Sequence, residues 1–270
     1  MLYDTHMHSS FSGDSETLPE KQIERAKEIG LSGVIFTDHM DIDTPITDVD
    51  FNLDVDRYIP YMKKMADKYN SDSFTVGTGI ELGLMPHLSK TNSDLIKKYS
   101  FDYVIGSIHI CHGKDPYNKK YFQGRPIRES YLEYFGCVLD NLRSYDGFDS
   151  LGHLDYVIRY GVRDYGENGQ YSYYDYAEII DEILKLIIKK DIALEINTGS
   201  YRCGMLEPNP NKVIIKRYKE LGGRLLTIGA DAHIPQHVGL HFEEIPGILN
   251  ECGFDSYYVF KNRKPIEIKI

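Results

Sequence analysis

Short apolar runs alternate along this chain with longer stretches whose apolar positions recur every three or four residues. Polar residues with coordinating side chains gather where the short runs end. The first run, Met1-Leu2-Tyr3, reads as a strand and leads into Asp4-Thr5-His6-Met7-His8. A polar loop containing Asp14 follows. Pro19 then opens a helix with Ile23, Ala26 and Ile29 on one face and Gly30 as its stop. The β-branched run 33–37 predicts a buried strand ending in Asp38-His39, and a polar loop separates it from an amphipathic helix marked by Val55, Ile59, Met62, Ala66 and Tyr69. The strand 74–80 ends in Glu81, a short helix covers 92–99, and the strand 103–108 ends in His109.

The second half keeps the rhythm. A loop over 111–126 precedes a helix over 127–145, and the short strand 150–152 ends in His153-Leu154-Asp155. A further loop, to about Tyr171, carries Arg159 and Arg163. The helix over 174–190 has the clearest period, with Ile179, Ile180, Ile183, Leu184, Ile187 and Ile188 on one side. The strand 193–197, a helix over 209–221 stopped by Gly222, and the strand 225–230 ending in Asp231-Ala232-His233 complete the alternation. A helix over 244–252 and two strand-like runs, 257–260 and 266–270, close the chain.

Alternating strand and helix means parallel strands with crossover helices, in an open sheet or a barrel. The polar residues recur at the C-terminal ends of the strands. In an open sheet the outermost would lie far apart, whereas a barrel brings all of them to one mouth. The expectation is therefore an α/β chain forming one domain over 1–270, a distorted TIM-like (β/α)7 barrel.

Composition narrows the chemistry. The formal charge of −10 speaks against general nucleic-acid binding, which needs a basic face. The chain has no apolar run long enough to span a membrane and no basic-then-apolar leader at its start. Its four cysteines are scattered, so they suggest neither a zinc ribbon nor a disulfide framework, and a cytoplasmic location is the default. There are 22 tyrosines, many of them in loops, where they can wall a small polar ligand.

His6 and His8, two apart on a strand, share one face. Two imidazoles side by side make sense with a cation between them, and Asp231 and His233 repeat the spacing. Together with Asp14, His39, Glu81, His109 and His153 they form a nitrogen and carboxylate set without thiolate, suited to zinc, manganese or iron. The set is too large for one ion and fits two or three divalent ions with a bridging carboxylate. Such a centre points to phosphate-ester hydrolysis, since neighbouring metals activate water and neutralise the attacking and leaving oxygens. Arg159 and Arg202, in loops after strands, are candidates for binding the phosphate of a small substrate, with Arg125, Arg163 and Lys114 behind them. His112 lies in the loop after His109. Asp38 is a candidate to fix a histidine tautomer, whereas Asp155 reads as a helix cap.

Asp4-Thr5-His6-Met7-His8, Thr37-Asp38-His39, Gly79-Ile80-Glu81, Gly106-Ser107-Ile108-His109, Gly152-His153-Leu154-Asp155 and Gly229-Ala230-Asp231-Ala232-His233 together resemble the polymerase-and-histidinol-phosphatase (PHP) superfamily. The resemblance implies a distorted (β/α)7 barrel with a trinuclear site. One ion would take His6, His8, Glu81 and Asp231; a second would share Glu81 and take His109 and His153. A third would take His39, His233 and Asp14, where some relatives place a histidine. Length and the run Glu195-Ile196-Asn197-Thr198 look most like the histidinol-phosphate phosphatases of histidine biosynthesis. The implied reaction is hydrolysis of L-histidinol phosphate by metal-activated water, with Asp231 or His233 passing a proton to the leaving alkoxide. The alternatives are a phosphoesterase for another small ester and a non-catalytic metal-binding regulator.

Overall fold

A computed structural model describes residues 1–45 and 49–270; the middle of the polar loop read after His39 lies outside the described residues. In chain order its strands begin with β1 (Tyr3–Asp4), β2 (Gly33–Phe36), β3 (His39–Met40) and β4 (Thr75–Gly83). They continue with β5 (Tyr103–Ser107), β6 (Ser150–Leu151), β7 (Ala193–Asn197) and β8 (Leu226–Gly229). Seven of them run parallel in the order β1-β2-β4-β5-β6-β7-β8, and the short β3 also pairs with β4. The two ends of this sheet meet through the residues that follow β1 and β8. Thr5 N donates to Ile228 O at 3.0 Å, Asp231 N to His6 O at 2.8 Å and His8 N to Ala232 O at 2.8 Å. The result is the nearly closed, distorted (β/α)7 barrel expected from the alternation.

The helices are α1 (Pro19–Glu28), α2 (Val55–Tyr69), α3 (Ser89–Lys98), α4 (Ile127–Ser144), α5 (Val157–Tyr165), α6 (Ala177–Lys189), α7 (Lys212–Glu220) and α8 (Ile245–Glu251). In α6 the positions Ile180, Ile183, Leu184 and Ile187 are buried, the i, i+3, i+4, i+7 stripe that a sheet-facing helix needs. Each such side chain contributes roughly 1.5–3 kcal/mol on burial. Side-chain caps set two helix starts: Asp54 accepts from Arg57 N ahead of α2, and Asn211 from Ile214 N ahead of α7. No helix among the described residues is long and apolar enough to cross a membrane.

Three sequence readings are corrected. The loop expected after His153 contains α5. This helix buries Val157, Ile158, Arg159, Tyr160, Gly161 and Val162, and it carries Arg159 and Arg163, which read in the sequence as loop cations. Gly161 is required there, because a Cβ would lie 1.7 Å from Tyr131 Oη. The strand expected to end at Ile80 runs on to Gly83, which places Glu81 within β4 rather than after it. Finally, Cys111 and Cys137 are not independent thiols but a disulfide, their Cα atoms 5.9 Å apart, tying the loop after β5 to α4.

The terminal runs form an antiparallel hairpin, β9 (Ser256–Lys261) and β10 (Lys264–Lys269), turned at Asn262 and Arg263 with φ of 51° and 63°. It covers the N-terminal end of the barrel. Phe260 stacks on Tyr103 with ring centroids 5.3 Å apart, beside Ile35, Ile105 and Ala193. Arg263 reaches Asp149 at 2.5 Å and Gly147 O at 2.9 Å.

Candidate metal centre

The opposite rim carries the chemistry. Past β1 the pleat sends Met7 into the core and His6 and His8 to the mouth, where all three are fully buried. Gly229 lets this segment approach β8, since a Cβ at Gly229 would lie 2.2 Å from His6 Cβ. The two imidazoles aim at one point, His6 Nε2 lying 3.1 Å from His8 Nε2. Asp231 completes the crossing, held with φ at 56°, in the left-handed region uncommon for a residue with a side chain.

Glu81 joins the groups. One oxygen, Oε2, is 3.3 Å from His6 Nε2, 3.4 Å from His8 Nε2 and 3.0 Å from His39 Nδ1. The other, Oε1, is 3.0 Å from His153 Nε2 and 3.3 Å from His109 Nε2, and accepts from Ser107 Oγ at 2.6 Å. His8 Nε2 is 3.4 Å from Asp231 Oδ1. On the outer side, Asp14 Oδ2 lies 3.0 Å from His233 Nε2 and 3.5 Å from His39 Nε2. The structure therefore brings together the members of each of the three ligand groups implied by the family resemblance.

The donor set fits divalent cations. His8 stacks between His39 and His233 at 4.1 and 4.3 Å, a crowding that protonated rings would oppose. Glu81 Oε2 is buried without a hydrogen-bond partner, as an atom reserved for a cation would be. Several sets of three donors lie close enough to share an ion, His6 with His8 and Glu81 among them.

Charge alternates through the cluster. Burial opposes a charge on His6, but Glu195, Glu81 and Asp231 outweigh it and hold its pKa well above the usual value. Burial also opposes ionisation of Glu81, yet His6, His109 and His39 keep it well below the carboxylate range. His8 goes the other way: burial and the neighbouring His39 and His233 push it down to about 3, leaving a neutral imidazole.

Around this cluster stands a layer of residues that the sequence reading left without a role. Glu195 Oε1 lies 2.5 Å from His6 Nδ1, and its Oε2 accepts from His153 N at 2.7 Å. Asp41 reaches His109 Nδ1 at 2.8 Å and His39 Nδ1 at 3.2 Å. Such acceptors fix which ring nitrogen faces the metal. The signal for Glu195 was legible, a carboxylate inside the apolar run of β7; Asp41, in a polar stretch, offered none. Asp38 acts at one remove, accepting from Ser9 and from Ser12 Oγ at 3.0 Å, while Ser12 Oγ lies 3.2 Å from His8 Nδ1. Asp155 does not cap a helix with its side chain. It accepts from Tyr171 Oη at 2.6 Å and Asn209 Nδ2 at 2.8 Å.

Above the centre opens a cavity of about 1060 Å³ lined by Arg159, Arg202, Arg163 and Lys114 as well as Asp14, His39, His109, His153, Asp231 and His233. Arg159, on α5 rather than in a loop, is buried. Its Nη1 donates to Asp231 Oδ2 at 2.7 Å, Nε to Asn209 Oδ1 at 2.7 Å and Nη2 to Asn197 Oδ1 at 2.5 Å. Three of its five N–H groups are thus committed and two are left. Arg202 donates to Ala230 O at 2.7 Å and Asp231 O at 2.8 Å. Arg125 and His112 lie elsewhere, both paired with Glu133.

A nearly closed seven-stranded barrel with a carboxylate-bridged imidazole cluster at its C-terminal rim defines a class, the metal-dependent hydrolases on a (β/α)7 frame. Residues 4–199 match the PHP domain, and the chain belongs to that family. It is 36% identical over 265 residues to a probable histidinol-phosphatase of Clostridium acetobutylicum, covering 97% of this chain and 98% of the relative. It is 31% identical over 271 residues to the histidinol-phosphatase of Lactococcus lactis, covering 98% of each. A crystal structure of the histidinol phosphate phosphatase of Lactococcus lactis, complexed with zinc, L-histidinol and phosphate, matches with a TM-score of 0.86 and 28% identity over 98% of both chains.

Proposed function

We propose that this chain is a metal-dependent phosphomonoesterase that hydrolyses L-histidinol phosphate to L-histidinol and phosphate, a step of histidine biosynthesis. The observation that carries the reading is Glu81, whose two oxygens face five imidazoles from four separate segments of the rim. Relatives matched over nearly the whole chain bear this activity in their names, and one of them is seen with zinc, L-histidinol and phosphate.

His6, His8, Glu81 and Asp231 would hold one ion, Glu81, His109 and His153 a second, and Asp14, His39 and His233 a third. Bound there, two or three zinc, manganese or iron ions would supply a nucleophilic water near neutral pH and positive charge for the phosphoryl oxygens. Arg159 and Arg202 flank the same point. The N–H groups they do not spend on protein acceptors can take the equatorial oxygens as negative charge spreads over them. The surrounding burial strengthens each of these contacts. Of the two candidate proton donors to the leaving alkoxide, Asp231 is opposed by its burial but held as an anion by Arg159 and His6. That leaves His233, whose Nδ1 lies 2.9 Å from Asp231 O, as the donor only where its Nε2 carries a proton rather than the third ion, since a metal-bound ring nitrogen has no proton to give. A cytoplasmic location accords with this biosynthetic role.

Phosphate release from a panel of phosphomonoesters and diesters tests the reading. The expected result is a kcat/KM for L-histidinol phosphate at least tenfold above that for other small monoesters. Preference for diesters would replace the substrate, and no release from any of them with zinc, manganese or iron supplied would favour the non-catalytic alternative.

A further inference from the structure

Four carboxylates line the cavity, Asp14, Asp41, Asp115 and Asp231, and three of them are neutralised by the cluster itself. Asp14 faces His39 and His233, Asp41 faces His39 and His109, and Asp231 faces His8 and Arg159. Asp115 differs. It is half-buried in the loop after β5 and takes one hydrogen bond, from Tyr117 N to its Oδ1 at 2.7 Å. No cationic side chain among the described residues lies within ion-pair distance of it. Burial raises its pKa against the Tyr117 N–H and the more distant charges of His109 and Arg163, which lower it, while Asp41 adds to the rise. A partly desolvated carboxylate on the wall of the same cavity as the metal centre and Arg159, with no side-chain cation in contact, can take a cation from the substrate.

Its surroundings favour one. Tyr117, Tyr156 and Tyr160 line the same part of the cavity, and aromatic faces attract positive charge. The nearby guanidinium of Arg163 shows this preference, lying 4.9 Å from the Tyr117 ring centroid and 4.8 Å from that of Tyr160. Arg163 does not satisfy Asp115, because it is paired with Asp164 at 2.8 Å. Lys114 and Lys120, also at the cavity wall, are exposed to solvent.

We infer that Asp115 is a specificity-determining residue that pairs with the ammonium group of the substrate while the metal centre and the two arginines hold its phosphate. This rests on the reaction proposed above, whose substrate carries a primary ammonium on the carbon next to the phosphoester carbon. One pocket thus recognises a zwitterion, anionic end down and cationic end toward the loop. The same pairing discriminates against phosphate esters that carry no ammonium, which would leave the half-buried carboxylate unpartnered.

The test is a cycle over enzyme and substrate. Wild type and Asp115→Asn are each assayed on L-histidinol phosphate and on its deamino analogue, 3-(imidazol-4-yl)propyl phosphate. The expected result is a loss of at least tenfold in kcat/KM for L-histidinol phosphate, mainly through KM, and a much smaller change for the analogue. Asp115→Glu, which keeps the charge, should recover part of the discrimination. Equal losses on the two substrates, or no loss on either, would overturn the assignment to Asp115 while leaving the reaction intact. A wild type that turns over both alike would also overturn it, and one that does not hydrolyse L-histidinol phosphate at all would overturn the proposed reaction itself.

Discussion

The two ends of this barrel are built from the same strands and obey opposite rules. At the N-terminal end the hairpin of β9 and β10 lays Phe260 on Tyr103, Ile35, Ile105 and Ala193, and Arg263 neutralises Asp149. The Arg263 and Asp149 charges there balance each other within the fold. At the C-terminal rim His8 is stacked between two other imidazoles, Asp231 sits at positive φ, and Glu81 Oε2 is buried without a hydrogen bond. A fold selected for stability alone would not collect these features. The contrast teaches that the lower end holds the barrel together, while the rim accepts strain and charge crowding to present ligands.

Three predictions would break or sharpen that contrast, and a fourth stands outside it. Asp231→Ala or His8→Ala at the rim should lower kcat/KM by on the order of a thousandfold, the scale of losing several kcal/mol of metal-supplied stabilisation. Circular dichroism should still report a folded barrel. Phe260→Ala at the opposite end should do the reverse, costing about 3–5 kcal/mol of stability in denaturant titration while kcat stays near wild type. Between them stands Glu195→Gln, which touches no substrate. It removes the anion beside His6 Nδ1, so metal affinity should weaken about 10–100-fold in chelator competition.

The smallest effect lies far from both ends. Burial pushes the Cys252 thiol up to about 11 from an ordinary value near 9. The folded state thus holds its proton longer than the unfolded chain does. Stability contributed by this group is present below pH 9 and is lost as pH rises from 9 toward 11. Stability measured across that range should fall more steeply for wild type than for Cys252→Ala.

Much of this was legible in the sequence, for stated reasons. Strand ends were visible because buried parallel strands are short apolar runs, and the ligands stood where those runs stopped, as at His39 and His109. The α5 helix was not, because it is only nine residues long and its Arg159, Gly161 and Arg163 read as loop residues, although its apolar positions do recur with a helical period. The pairing of Cys111 with Cys137 was invisible because spacing says nothing of two elements that meet only in the folded barrel. The partners of the ligands divided in the same way. Glu195 interrupts an apolar strand and could be noticed, whereas Asp41 lies among polar residues and acquires meaning only from the 2.8 Å separating it from His109.

The most direct test of the central claim is a metal titration of the purified, chelator-treated chain, with bound ions counted by native mass spectrometry and phosphate release from L-histidinol phosphate followed in the same samples. The account predicts that two or three zinc or manganese ions bind per chain and that turnover appears as they do. Binding of fewer than two ions, or full occupancy without any phosphate released, would contradict it.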